Sequence, residues 1–98
     1  MPVKDWKKHL PDGFYLLIRR ETWGGKIVDF AVILVFEEQC VTRYDTSHDY
    51  VHRDILGRRE GLIKKKTYPN MTFAEGFNHA LNDIPSNYRE YFEFYDSH

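Results

Sequence analysis

The sequence predicts an α+β protein, an antiparallel meander of four to five strands with one or two C-terminal helices packed on one face. Three observations lead to this prediction. Runs with an apolar period of two fill residues 14–68, and short turn-forming segments separate them. A helix-start motif with a helical apolar period follows. Because such short connections join only antiparallel neighbours, the strands are expected to pair in chain order.

Length and composition indicate a single domain over residues 1–98. Its hydrophobic fraction of 42% and charged fraction of 30% are ordinary for a soluble globular protein. Residues 1–12 are mostly polar and are expected to be flexible. The single cysteine, Cys40, excludes an internal disulfide. No signal peptide or membrane span is recognised in the sequence, so the expected location is cytoplasmic.

The first two predicted strands form a hairpin. Residues 14–20 alternate apolar and polar side chains, and Gly24–Gly25 supplies the positive φ angles that tight hairpin turns need. Residues 26–38 form the strongest strand, which is apolar on both faces. Such a strand is central in its sheet, and its second face needs a cover. The cover is expected to be a helix or a second copy, so a homodimer through residues 26–38 is one predicted partner.

Three further strands complete the predicted sheet, over residues 39–46, 51–56 and 62–68. Alternation places Arg43 and Asp45 on one face of the first of these strands. In the second strand, Arg53 points away from His52 and Asp54. In the third, two lysines share one face and the middle lysine takes the other: Lys64 and Lys66 against Lys65.

The C-terminal segment is predicted to be helical. Thr72 and Glu75 form a capping box, and the apolar residues that follow fall on one helical face. Gly76 inside this helix suggests that the backbone comes close to the sheet there. Pro85 is expected to end the helix, with a short second helix to follow.

Residues 43–54 hold the candidate catalytic site. His52 and Asp54 point the same way on a strand, hairpin pairing brings Asp45 near them, and His48 lies on the connecting loop. Three roles remain open for this group. It could act as a general acid and base on a phosphodiester, hold a divalent metal, or form a structural polar network. No cofactor is predicted.

The candidate ligand-binding residues surround this group. They are Arg43, Tyr44, Arg53, Lys64 and Lys66. Residues 53–70 carry six Lys or Arg against two Asp or Glu, whereas residues 71–98 carry one Arg against five acids. The basic segment is expected to contact RNA or another phosphate-bearing ligand. Alternatively, lysines on an edge strand only protect it against aggregation.

The run Arg43–Tyr44–Asp45–Thr46, followed by His48 and by His52–Arg53–Asp54, resembles the core of a family of small uncharacterised prokaryotic proteins. That similarity extends over most of the chain from about residue 14. Arg43–Tyr44–Asp45 with spaced histidines is also loosely similar to TumE-type toxins of toxin–antitoxin pairs, which combine a small sheet with a denser histidine run. This second resemblance implies a ribonuclease activity.

Two functions are therefore predicted. In the first, the protein contacts RNA or a phosphate-bearing ligand, with cleavage by the His/Asp residues in the manner of a toxin–antitoxin ribonuclease. The alternative is a non-catalytic homodimeric interaction protein in which the polar residues only hold a hairpin together. The sequence leaves open whether the protein is an enzyme.

Overall fold

The computed structural model describes residues 2–98, in which six strands precede one helix. The elements are β1 Val3–His9, β2 Tyr15–Trp23, β3 Lys26–Phe36, β4 Gln39–Asp45, β5 His52–Gly57, β6 Gly61–Thr67 and α1 Phe73–Ser97. All the strands form one antiparallel sheet in the order β1-β2-β3-β4-β5-β6. The predicted α+β class, the antiparallel meander and the C-terminal helical cover are confirmed.

The predicted number of strands is wrong because it omits β1. This strand lies in residues 1–12, the segment that the sequence predicts to be flexible, and it pairs with β2 along its whole length. Its side chains are exposed except for the half-buried Trp6. An edge strand with so little burial needs no apolar alternation, so periodicity alone does not reveal it.

The helix α1 is continuous for 25 residues and passes through Pro85, so the prediction of a helix end at this proline is wrong. Proline removes one backbone hydrogen bond, but the buried stripe continues from Ile84 to Tyr88 and Tyr95. The packing of that stripe against the sheet outweighs the local cost. The hydroxyl of Ser86 also donates to the Asn82 carbonyl in the same stretch of helix.

The face of the sheet that packs against α1, here called the inner face, carries the core. Phe30, Val32 and Leu34 of β3 are buried there, as the alternation predicts. The ring of Phe77 meets that of Phe30 edge-on at 5.5 Å between centroids. The capping box is also present, because Thr72 accepts from the Glu75 amide while Glu75 accepts from the Thr72 amide.

Gly76 allows α1 to approach the chain just before β5. A Cβ atom added at Gly76 would lie 2.6 Å from a methyl carbon of Val51, which is fully buried. No side chain fits at that distance without moving the helix. The predicted close approach of the backbone at this glycine is confirmed.

The second face of the sheet, here called the open face, has no helix of residues 2–98 packed on it. Ala31 and Ile33 point to this face and stay partly exposed. The register shift between Glu21 and Thr22 turns Ile27 to the inner face, where it packs against the core. The other prediction about this face, that a second copy covers it, is taken up below. No helix within residues 2–98 is both long and apolar enough to span a membrane.

The turn between β3 and β4 contains two strained residues. Glu37 and Glu38 have φ angles of 49° and 62°, a region that favours Gly, Asn and Asp. The variant Glu37→Asn/Glu38→Gly is expected to gain about 1 kcal/mol of unfolding free energy, since it relieves this strain. Urea denaturation would measure the gain. The substitution Gly25→Ala, at a glycine with φ of 77°, should lower stability in the same assay. An unchanged midpoint in the double variant would contradict the assignment of strain.

Candidate functional site

Three of the four predicted catalytic residues meet on the open face where β4 and β5 pair, whereas His48 lies outside this group in the turn before β5. Asp45 lies opposite His52 and Arg43 lies opposite Asp54 in the register of the two strands. His52 Nε2 is 2.8 Å from Asp45 Oδ1 and 3.6 Å from Asp54 Oδ1. The structure therefore brings together Asp45, His52 and Asp54, which we call the His/Asp cluster.

Two cations of the chain neutralise the carboxylates of this cluster. Arg43 Nε lies 2.8 Å from Asp54 Oδ2 and 3.5 Å from Asp45 Oδ2, and Lys65 Nζ lies 2.8 Å from Asp54 Oδ1. Burial alone would raise the pKa of the Asp54 carboxyl. Hydrogen bonds from Lys65 and Arg43 and their positive charges outweigh burial, so the pKa lies below its ordinary value.

Two of the three residues of the cluster are closed to solvent, while Asp45 is 16% exposed. The side chains of His52 and Asp54 are 0% and 1% exposed. The Tyr50 ring lies 5.4 Å from the His52 ring and the His48 ring lies 6.5 Å from it, measured between centroids. His48 itself sits in a tight turn with a φ of 69°, and none of its nitrogens lies within 4.0 Å of a carboxylate of residues 2–98. In this conformation a substrate has no path to the imidazole.

The same three residues offer ligand atoms within 4.8 Å of one another, which is a possible metal geometry. All four carboxylate oxygens already have partners in the chain, however. Asp45 Oδ1 accepts from the amide and hydroxyl of Ser47, and the other three oxygens contact Arg43 or Lys65. A divalent ion would have to displace these cations. The geometry favours a structural network in which opposite charges hold three strands together.

The predicted ligand-binding residues are divided between the two faces of the sheet. Arg43 points to the open face, whereas Arg53 lies on the inner face. Lys66 pairs opposite Arg53, and Lys64 pairs opposite the next inner-face position of β5. Tyr44 is 1% exposed and packs under the helix, so its ring is not available to a ligand.

Arg53 and Lys64 line a groove of about 390 Å³ between the β5–β6 hairpin and α1. Its apolar walls include Ile55, Ile63, Tyr91 and Phe94. The guanidinium carbon of Arg53 lies 4.4 Å from the centre of the Tyr91 ring. One terminal nitrogen donates to Thr42 Oγ1 at 3.1 Å, while the buried Nε has no hydrogen-bond partner in the described part of the chain. Within residues 2–98, no carboxylate lies within 4.0 Å of Arg53, Lys64 or Lys66.

A second polar network joins the sheet to α1, and the sequence reasoning missed it. Asp83 Oδ2 accepts from the hydroxyls of Tyr44 at 2.6 Å and Tyr91 at 2.5 Å, and its Oδ1 accepts from the Asn87 amide at 2.8 Å. The Tyr44 hydroxyl also lies 3.2 Å from His79 Nε2. The sequence signal for this network is the spacing of His79, Asp83 and Asn87, which lie four residues apart on one side of the helix.

Ionisation in this second network follows from burial and hydrogen bonding. Burial raises the pKa of the Tyr44 and Tyr91 phenols, and the hydrogen bonds to Asp83 add to the effect. Burial also acts to raise the pKa of Asp83, but the donors around it outweigh burial and lower the pKa. A carboxylate held by two neutral phenols therefore anchors α1 at neutral pH.

Comparisons with known proteins define a family without an assigned activity. A search of curated proteins finds no match, and neither does a search of solved structures. The similarity to TumE-type toxins and the motif in residues 43–54 therefore stay sequence predictions. Residues 1–98 match the family described as a domain of unknown function, DUF7718. The predicted membership of an uncharacterised family is confirmed, and the chain belongs to the DUF7718 family.

Proposed function

We propose that this protein binds a nucleotide phosphate, free or within an RNA strand, in the groove between the β5–β6 hairpin and α1. The observation that carries the proposal is Arg53. Its guanidinium is half-buried, it has no carboxylate partner among residues 2–98, and it faces a groove with apolar walls.

A partly buried cation without a counter-charge destabilises the free protein. The binding free energy of an anion is therefore more favourable in the groove than at an exposed arginine. Guanidinium groups match the geometry of phosphate oxygens and donate two hydrogen bonds to them. Lys64 and Lys66 lie on the same side of the neighbouring strand and add positive charge. These three residues are the phosphate-binding set of the proposal.

The walls of the groove suit the base of the nucleotide. Phe94 is 39% exposed and Ile63 is 40% exposed, so both side chains are accessible to a ligand in the groove. One face of the Phe94 ring is stacked on His98 at 4.0 Å between ring centroids, which leaves the other face for a base. Bases stack on aromatic rings in a way that depends little on sequence. The combination favours an amphipathic anion over inorganic phosphate.

The proposal does not include cleavage by the His/Asp cluster. Because successive side chains of a strand point to opposite faces, Arg53 and its neighbours His52 and Asp54 lie on opposite sides of the sheet. A phosphodiester held by Arg53 in the groove cannot also contact the His52 imidazole. The cluster is assigned to holding β4, β5 and β6 together.

Fluorescence anisotropy with a labelled single-stranded RNA of about ten nucleotides tests the proposal. Arg53→Met is expected to weaken binding about tenfold or more, because it removes charge-assisted hydrogen bonds to phosphate. Lys64→Gln/Lys66→Gln should weaken binding and make the slope of log K against log salt shallower. Lys8→Gln is the matched control, since this exposed lysine lies on the opposite edge strand.

Competition with a nucleoside monophosphate separates the two sources of the phosphate. Displacement of the RNA by the mononucleotide would identify a one-nucleotide site, whereas retention would identify a site that needs the strand. Equal affinities for Arg53→Met, the double lysine variant and Lys8→Gln, with circular dichroism spectra showing all three folded, would refute the groove. If the wild-type protein cleaves the RNA and a folded His52→Ala variant does not, the structural role of the cluster would be contradicted.

A further inference from the structure

We propose that the open face of the sheet binds a second copy of this chain about a two-fold axis. This inference does not depend on the groove, which lies on the inner face. It specifies how a homodimer through residues 26–38 would be built and adds side chains of β1, β2 and β4 to the interface.

An apolar patch occupies the middle of the open face. Leu17 is 39% exposed, and Ala31 and Ile33 lie beside it on β3. These side chains line a shallow cavity of about 430 Å³, together with Asp5, Lys7 and Arg19. Aliphatic groups in the centre of a sheet face, with charged groups around them, are typical of a protein interface.

The charges around this patch follow an order that the strand register fixes. One cross-strand row, the first row, contains Asp5, Arg19, Ala31 and Asp45. The adjacent row, the second row, contains Lys7, Leu17, Ile33 and Arg43. Across β1 to β4 the first row therefore has an acid at each side of the patch, while the second row has a base at each side. Beyond β4 the first row continues to His52 and the second row to Asp54, both of which are buried.

This order is complementary to itself. A two-fold axis that runs parallel to the two rows in the interface plane places the first row of one copy over the second row of the other. Asp5 then faces Lys7 of the second copy. Asp45 and Arg43, which already lie 3.5 Å apart within each chain, face Arg43 and Asp45 of the second copy. Symmetry repeats each contact, and the strands of the two sheets stay aligned, as in common sheet-on-sheet packing.

The remaining positions in the two rows are compatible with this pairing. Ala31 comes to lie over Ile33 of the second copy, which matches a small side chain with a larger one. Arg19 lies over Leu17 of the second copy and is already neutralised, because it pairs with Asp29 at 2.8 Å and Glu21 at 3.3 Å. Its aliphatic stem can therefore cover the leucine. No two like charges of the first and second rows face each other in this pairing.

A charge exchange tests this arrangement. We expect sedimentation equilibrium to show a dimer for the wild type, and a dissociation constant at least about tenfold higher for Asp5→Lys. The double variant Asp5→Lys/Lys7→Asp should recover the dimer, because each acid again faces a base. Ile33→Lys should give a monomer. Leu62→Lys is the control, since this leucine is 53% exposed on β6, away from the patch.

Three results would refute the inference. They are a wild-type protein that stays monomeric at its highest soluble concentration, a double variant no more dimeric than Asp5→Lys, and a dimer that Ile33→Lys leaves intact. Circular dichroism and thermal melting identify any variant that fails to fold. In that case Leu17→Lys, at an exposed position of the same patch, replaces Ile33→Lys.

Discussion

Removal of both Arg43 and Lys65 is expected to lower the free energy of unfolding by about 3–5 kcal/mol. The variant Arg43→Met/Lys65→Met keeps the aliphatic stems and removes the charges. It leaves the carboxylate of Asp54, which is 1% exposed, without the two cations that lie 2.8 Å from its oxygens. A buried charge without its partners is far more costly than an absent ion pair.

Removal of the acid, Asp54, should lower the free energy of unfolding by less than removal of its two cations. The variant Asp54→Asn leaves Arg43 and Lys65 without this ion-pair partner. Their side chains are 45% and 32% exposed, so water can solvate their charges. Adding Asp54→Asn to the double variant should therefore restore part of the lost stability. Urea denaturation of the four proteins measures these differences.

Arg89→Met provides the control for a lost surface ion pair. Arg89 and Asp12 are 60% and 63% exposed, so their separation should cost less than about 1 kcal/mol. A double variant Arg43→Met/Lys65→Met no less stable than Arg89→Met would contradict the structural role of the His/Asp cluster. The cluster would then not be needed for the stability of the fold.

Tyr44→Phe is expected to cost about 2 kcal/mol of unfolding free energy, the second large effect. The substitution removes the hydroxyl that donates to Asp83 at 2.6 Å and keeps the buried ring. Asp83 then loses one of its three side-chain donors while it stays half-buried. Hydrogen bonds to ionised groups are worth more than neutral ones, so the loss exceeds that of an ordinary tyrosine hydroxyl.

Tyr68→Phe is the matched control for this prediction. The Tyr68 hydroxyl lies 3.3 Å from that of Tyr44 and does not reach Asp83, so its removal should cost less than about 1 kcal/mol. Thermal and urea unfolding of the two variants give the comparison. Equal stabilities would show that the contact between Tyr44 and Asp83 does not anchor the helix.

The sequence predicts most of the sheet because its central strands alternate. From Phe30 to Leu34 every second side chain points to the core, and the hairpin register then fixes which residues of β4 and β5 lie side by side. This argument alone predicts that Asp45, His52 and Asp54 lie close together. Capping at Thr72 and the close approach at Gly76 were likewise readable from residue type and spacing.

The remaining features depend on contacts between elements that are distant in sequence. β1 forms a strand because its backbone can pair with the otherwise unpaired edge of β2. α1 continues through Pro85 because residues before and after the proline pack against the sheet. The sequence does not predict the contact of Lys65 with Asp54, because this contact follows from the register of β6 against β5. The hydrogen bonds around Asp83 form only when α1 packs on the sheet, and no local sequence pattern predicts this packing.

The order of the strands also has a consequence for how the chain folds. Each strand pairs only with its neighbours in the chain, so the sheet can grow one hairpin at a time with little loss of loop entropy. The exception is α1, whose residues meet strands far away in sequence. Until α1 docks, both faces of β3 are exposed. The period between sheet formation and helix docking is therefore when the chain is most prone to aggregate.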